Sequence, residues 1–363
     1  MEFVNQLPVA ALAFRQFDQN GQLDCVVSAK GTFRHVQDRF LELADEQEPF
    51  QWTDEYEGDP HRSLLVRLTD LTPDKPGTDV TFLGGSYAPD GRAQKTWVAA
   101  LQIGQITKSL IVSGKRELRP QIIQPKKSIL GSPKSADGLS WKLSEPEPAQ
   151  SIPMDWYLAY GGGTKGKPGP MCIDGDEVEL ANPLGCGCVR EMDLRNVRPV
   201  SAPQIVSTDD EFKGGHKQAS PAGFGPIPPW WPQRSRFAGT YDDKWLETRH
   251  PLLPLDFDRR FWNCAPEDQV AVPFLQAGTQ YRLINLHPEL AEARGFLPDV
   301  QLGIRCQVDE RDEWHVANLD GVHFDWRQDD RVLLTWRARF PLPQAETAKI
   351  TLASVIVAAD EAA

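Results

Sequence analysis

The chain has 363 residues, 40% of them hydrophobic and 25% charged, with a formal net charge of −12. This is the composition of a folded globular protein, long enough for one large core or several smaller ones, and its acidity opposes general binding to nucleic acid or to an anionic membrane surface. No stretch reaches the roughly 18 uninterrupted apolar residues of a membrane-spanning helix.

Thirty prolines and 28 glycines punctuate the chain too often for long helices, so short strands and irregular connections are expected. Residues 1–120 read as an N-terminal β lobe. ALAFRQF, LDCVVSAKGTFRHV, DVTFLGGSYA, KTWVAALQIG and SLIVSGKREL are β-branched and aromatic runs. Turn residues at Gln19-Asn20-Gly21, Lys75-Pro76-Gly77 and Pro89-Asp90-Gly91 separate them. Residues 121–261 form a Pro/Gly-rich central region with one short helix, over TYDDKWLETRHP. Its aromatics argue for ordered, packed loops. Residues 262–363 return to strands in QYRLINL, DVQLGIRCQVD, EWHVANLDGVHFDW, RVLLTWRARF and KITLASVIV. A hairpin turn is expected at Asp320-Gly321, and a short helix over PELAEARG, with Pro288 at its start and Gly295 past its end. The fold class expected is mainly β: antiparallel β-sandwich-like lobes, an irregular middle and few short helices. Whether the lobes share one core stays open.

Several motifs approach known chemistry. In residues 239–258, GTYDDKWLETRHPLLPLDFD, the acids Asp242, Asp243, Asp256 and Asp258 flank His250. Such a group can hold a metal or run acid–base chemistry. Acids at the start of a helix and bases at its end also suit the helix dipole, with Thr240 as the candidate N-cap. In LLPLDFD, Leu253, Leu255 and Phe257 alternate with Asp256 and Asp258, whose face also receives Arg260. The cluster Asp242, Asp243, Asp256, Asp258 and Arg260 is therefore expected to be structural.

Gly161, Gly166 and Lys167 match the spacing of a phosphate-binding loop, but Pro168 stands where the magnesium-binding hydroxyl and the helix start belong. Ser86 in Gly84-Gly85-Ser86-Tyr87-Ala88 lacks the helix that a nucleophile elbow needs. Cys172, Cys186 and Cys188 give three thiols, with Cys264 or His216 as a possible fourth zinc ligand. Buried small thiols are the simpler reading. Residues 174–177, DGDE, lack the rest of a calcium loop. No catalytic residue, metal or cofactor is expected. PPWWP, residues 228–232, is unusual: two tryptophans stiffened by prolines. Trp230 or Trp231, together with Phe224, is a candidate partner-binding anchor; the alternative is that the rings wedge between lobes.

FVNQLPVAALAF, DPHRSLLVRLTDLTPDKPGTDVTFLGGSYAPDG and AGTYDDKWLETRHPLLPLDFDRRFWNCAPEDQ resemble the domain of unknown function 2169 family, over about residues 1–340. ANPLGCGCV is similar to its glycine-rich Asn-Pro segment. Genes of that family lie beside type VI secretion components: the VgrG spike, PAAR tip proteins and toxic effectors. The resemblance implies a non-enzymatic adaptor or chaperone that binds a cognate effector, or its PAAR segment, and helps load it onto the spike. It brings no established catalytic residues. Some relatives continue into pentapeptide repeats, which this sequence lacks, favouring a stand-alone helper. The opening MEFVNQLPVAALAFRQFD has no basic n-region, and the six cysteines are dispersed, so a cytoplasmic location with reduced thiols is expected. Two other readings compete: a metal-dependent hydrolase using Asp242, Asp243, His250, Asp256 and Asp258, and a carbohydrate-binding β-sandwich with tryptophan platforms.

Overall fold

Twelve of the fifteen strands in the two largest sheets set the fold. The computed structural model describes residues 1–123, 138–163, 178–188, 199–210, 212, 219–342 and 348–355. The strands are β1 (Glu2–Asn5), β2 (Ala10–Phe17), β3 (Leu23–Arg34), β4 (Thr78–Leu83), β5 (Thr96–Ile103) and β6 (Ile106–Ser113). From the other end of the chain come β7 (Gln280–Ile284), β8 (Glu292–Phe296), β9 (Gln301–Val308), β10 (Arg311–Asp325), β11 (Arg331–Pro341) and β12 (Ala348–Val355).

The larger sheet runs β1-β12-β9-β10-β11-β3-β2, with β4 beside the second half of β10. β1 and β2 stand at opposite ends of that order, yet only residues 6–9 connect them. The sheet must therefore roll until its two edges approach, and Asn5 Nδ2 donates to Val9 O at 2.7 Å across the turn. The second sheet runs from the short strand Ile205–Ser207 through β6, β5, β7 and β8, all antiparallel. The protein is mainly β, as its sequence implies. The expected division at 1–120 and 262–363 does not follow the sheets, since both combine strands from the two ends of the chain. Val27, Phe82, Leu101, Tyr281, Phe324 and Leu334 share a single hydrophobic core. In the middle region, Leu118, Trp141, Tyr160, Cys188 and Phe212 form a smaller apolar cluster of their own.

The rolled sheet has two different faces because side chains alternate along a strand. Val27 and Ala29, Val80 and Phe82, Val322 and Phe324, and Val332, Leu334 and Trp336 enter the core. Most of their neighbours are polar: Ser28, Lys30 and Thr32, Asp79 and Thr81, His323, and Thr335 and Arg337, with Val26 and Leu333 as apolar exceptions. That face would ordinarily meet water. Here residues 47–75 cover it. Gln47 Nε2 donates to Thr32 O at 3.1 Å, Glu48 N to Thr32 Oγ1 at 2.8 Å and Gln51 N to Asp70 Oδ2 at 2.6 Å.

Three sequence expectations need correction. Asp320-Gly321 is not a hairpin turn: it is a bulge in the middle of β10. Asn318 and Leu319 pair with Arg337 and Trp336, then Gly321 pairs with Thr335, leaving Asp320 extra. The extra residue switches the alternation, so Ala317 and Leu319 before it and Val322 and Phe324 after it all reach the core. PELAEARG is not a helix, because residues 292–296 find ladder partners on β7. Backbone pairing and burial of Ala293 outweigh local helix preference. LLPLDFD is not a strand: Leu255 is 73% exposed while Phe257 is buried. Pro254, with no N–H to give, helps hold this stretch in turns.

Gly321 is required where it sits, since a Cβ there would come 2.4 Å from Thr335 Oγ1. Gly321→Ala is expected to lower stability by about 1–3 kcal/mol, and adding Thr335→Ala to recover part of that loss. Urea denaturation of the two variants and the double variant measures both effects.

Candidate functional site

The acids around His250 act on nearby backbone and side chains rather than converging on one point. The short helix α1 (Pro232–Ser235) precedes α2 (Asp243–Thr248). Asp242, not Thr240, caps α2, its carboxylate accepting from Trp245 N at 2.8 Å. Asp243 is the first helical residue, where negative charge meets the positive end of the helix. Asp256 accepts from Thr240 N at 3.0 Å and Thr240 Oγ1 at 2.7 Å, and those bonds hold its carboxyl below the usual range. Asp258 Oδ2 accepts from both Nε and Nη2 of Arg260, at 3.0 and 2.7 Å, and its pKa too is lowered, first by that arginine. His250 lies edge-on to Trp245. Among the described residues no three His, Cys, Asp or Glu side chains come together as a metal site.

The aromatic anchors divide. Trp231 and Phe224 are fully buried, so neither offers a surface to a partner. Trp231 packs edge-on against Trp156, at 5.5 Å between ring centroids, in a cluster with Leu64, Ala159, Leu184 and Ile227. Phe224 packs edge-on against Phe82 in the main core. This burial is against their assignment as anchors. Trp230 is half-buried, its indole N–H donating to Pro60 O at 3.1 Å.

The other motifs also resolve into scaffold where they are described. Ser86 is buried, donating to Asn285 O and accepting from Trp97 Nε1, both at 2.8 Å. Gly161 and Gly162 let the Asn182–Gly185 backbone approach closely: a Cβ on Gly161 would lie 2.1 Å from Asn182 O. Gly166, Lys167, Pro168, residues 174–177, Cys172 and His216 lie outside the described residues. Burial pushes the Cys186 and Cys264 thiols up to about 12.

Two features that sequence reading missed hold the concentrated chemistry. The first is the covered polar face. Lys30 and Asp70 pair at 2.6 Å, Lys75 and Asp79 at 2.9 Å, and Arg337 pairs with Asp320, all six buried. Asp79 also accepts from Asn263 Nδ2 at 3.0 Å, Cys264 N at 3.0 Å and Ala265 N at 3.1 Å. Burial alone would raise its pKa, but Lys75 and these donors outweigh burial and the pKa is lowered. Lys75 moves up, because Asp79 and Asp320 outweigh the burial that would lower it. Three cations and three carboxylates neutralise one another, and Lys30, Asp70, Lys75, Asp79 and Arg337 line a cavity of about 70 Å3. His323 lines it, its Nδ1 2.6 Å from Thr81 Oγ1.

The second feature is a groove of about 610 Å3 between residues 220–237 and 263–272. Trp156, Ala222, Ile227 and Val270 give it apolar walls, and Lys108, Arg234, Arg236 and Arg260 bring positive charge. The Arg236 and Arg260 guanidiniums lie 4.6 and 4.2 Å from the centroid of the Phe237 ring.

Comparison with known families places this arrangement. Residues 20–337 match the family described as "Uncharacterized protein conserved in bacteria (DUF2169)". The chain belongs to the DUF2169 family. Searches of curated proteins and of solved structures returned no match. The DUF2169 match spans both features: the six-charge cluster extends from Lys30 to Arg337, and the groove lies wholly inside residues 20–337.

Two outcomes are expected from these placements. Trp231→Ala should cost about 3–5 kcal/mol, as for other buried tryptophans; a melting temperature unchanged from the parent would contradict its interior position. Burial lowers the His323 pKa to about 4, against 6.5 when free. The unfolded chain therefore takes up this proton first, and stability falls as pH drops from 6.5 through 4. His323→Gln should flatten that interval, read as the parent-minus-variant difference in thermal midpoint at pH 7, 6, 5 and 4.

Proposed function

We propose that this protein is a non-catalytic cytoplasmic adaptor that binds a cognate type VI secretion effector, or its PAAR segment, and helps load it onto the VgrG spike. The observation that carries the reading is the contrast between its two chemical features. The buried charges neutralise one another under a cover, and the large groove is apolar and cationic, which suits holding another chain. The secretion role comes from the DUF2169 resemblance and its gene neighbourhood.

A specific complex would bury on the order of 1,200–2,000 Å2, far more than the groove alone supplies. Exposed Tyr241, Leu246 and Leu255 in the 239–258 block add apolar surface of the kind that partners cover. The metal-hydrolase reading is weakened by the separate engagements of Asp242, Asp256 and Asp258, and the tryptophan-platform reading by the burial of Trp231.

Co-expression with the effector encoded beside it is expected to give a complex that co-elutes on size exclusion, and deleting the gene to abolish secretion of that effector alone. An effector that is secreted normally without this protein and never co-elutes with it would refute the proposal.

A further inference from the structure

We propose that the groove between residues 220–237 and 263–272 receives a short peptide segment of the partner, with an acidic side chain flanked by aromatic or aliphatic ones. This deepens the adaptor reading and rests on it. The volume, about 610 Å3, falls within the ordinary range of ligand sites. The sign of the charge selects the ligand. The chain as a whole carries −12, yet among the described residues the lining holds four cations, Lys108, Arg234, Arg236 and Arg260, and two carboxylates, Glu267 and Asp268. Glu267 engages Arg236 at 2.8 Å, Asp268 engages Lys108 at 2.9 Å and Asp258 engages Arg260 at 2.7 Å, which leaves Arg234 without an ion pair among the described residues.

Arg234 is the informative residue. It is 3% exposed, and its hydrogen bonds go to carbonyl oxygens: Ile227 O at 2.8 Å and Phe261 O at 3.0 and 3.2 Å. Those bonds use three of its five N–H groups, and among the described residues no carboxylate forms an ion pair with it. A guanidinium stays charged even when buried, so an unmatched one favours an incoming anion. Arg236 and Arg260, stacked on Phe237, are held in place at the solvent side, which reduces the ordering that binding would require.

A peptide's side chains fit better than an inorganic anion, because phosphate has nothing to bury against the apolar walls that lie beside Arg234 in the lining. Trp156, Ala222 and Ile227 then take the apolar side chains.

The test uses the full chain and fluorescein-labelled acetyl-Phe-Asp-Leu-Phe-amide, followed by anisotropy. The Asp peptide should bind saturably, and its Asn analogue about tenfold more weakly or worse. Arg236→Glu and Ser220→Trp alter exposed lining residues, so each should stay folded by circular dichroism and lose about tenfold in affinity. Equal binding of the two peptides, no binding of either, or variants that bind like the parent would overturn the proposal. So would sodium decanoate or inorganic phosphate binding where the peptide does not. Effector co-elution separates the two readings. If both variants still co-elute with the effector as the parent does, the groove assignment falls and the adaptor reading stands. If the parent binds the peptide but never the effector, the reverse holds.

Discussion

The pair between Arg337 and Asp320 is the contact on which the larger sheet depends. A bulge at Asp320 puts two successive residues, Asp320 and Gly321, on the polar side of β10, and this keeps the core side apolar along the strand's whole buried length. The carboxylate it delivers meets Arg337 on the neighbouring strand and accepts from Thr335 Oγ1 at 2.8 Å. Without the extra residue, either Ala317 and Leu319 or Val322 and Phe324 would point away from the core. β10 is also where the sheet changes partners: β9 pairs with its first half, β4 and β11 with its second.

That contact also explains why residues 47–75 are needed. Lys30, Asp79, Asp320 and Arg337 on an open sheet would be solvated and worth little as ion pairs. Covered, they lose water, and each charge must find a partner. Asp70 and Lys75, both from the covering segment or its end, supply the missing opposite charges for Lys30 and Asp79. Buried pairs of this kind add little net stability relative to apolar residues of equal size, but losing one partner costs about 3–5 kcal/mol. The cover and the sheet are thereby held to one register, because sliding would separate Lys30 from Asp70 and Asp79 from Lys75 together.

Much of the fold was legible because it rests on period-two alternation. The runs at 10–17, 23–34, 96–103 and 301–308 are strands, and the turn at Gly21 forms with positive φ. What was not legible depends on partners distant in sequence. Asp320-Gly321 reads locally as a hairpin turn, and only the pairing with Thr335 and Arg337 makes it a bulge. Glu292–Phe296 reads as helix until β7 lies beside it. The polar cluster had a visible trace, Ser28, Lys30 and Thr32 alternating in a strand, but nothing local says that residues far along the chain will cover them. The prolines around Trp231 read as a stiff surface display. They instead present the ring to Trp156, an interior contact that no pattern within 228–232 encodes.

The interleaving of the sheets bears on how the protein is made. β1 pairs with β12, and β3 lies between β2 and β11, so the first strands of the chain find their long-range partners only among residues 331–355. At a synthesis rate of about 5–20 residues per second, the β2–β3 ribbon and its apolar side chains wait tens of seconds on the ribosome with an open edge. Folding is then dominated by contacts distant in sequence, a regime of slow closure and exposure to aggregation. A protein proposed to shelter other chains is thus, during its own birth, a chain in need of shelter.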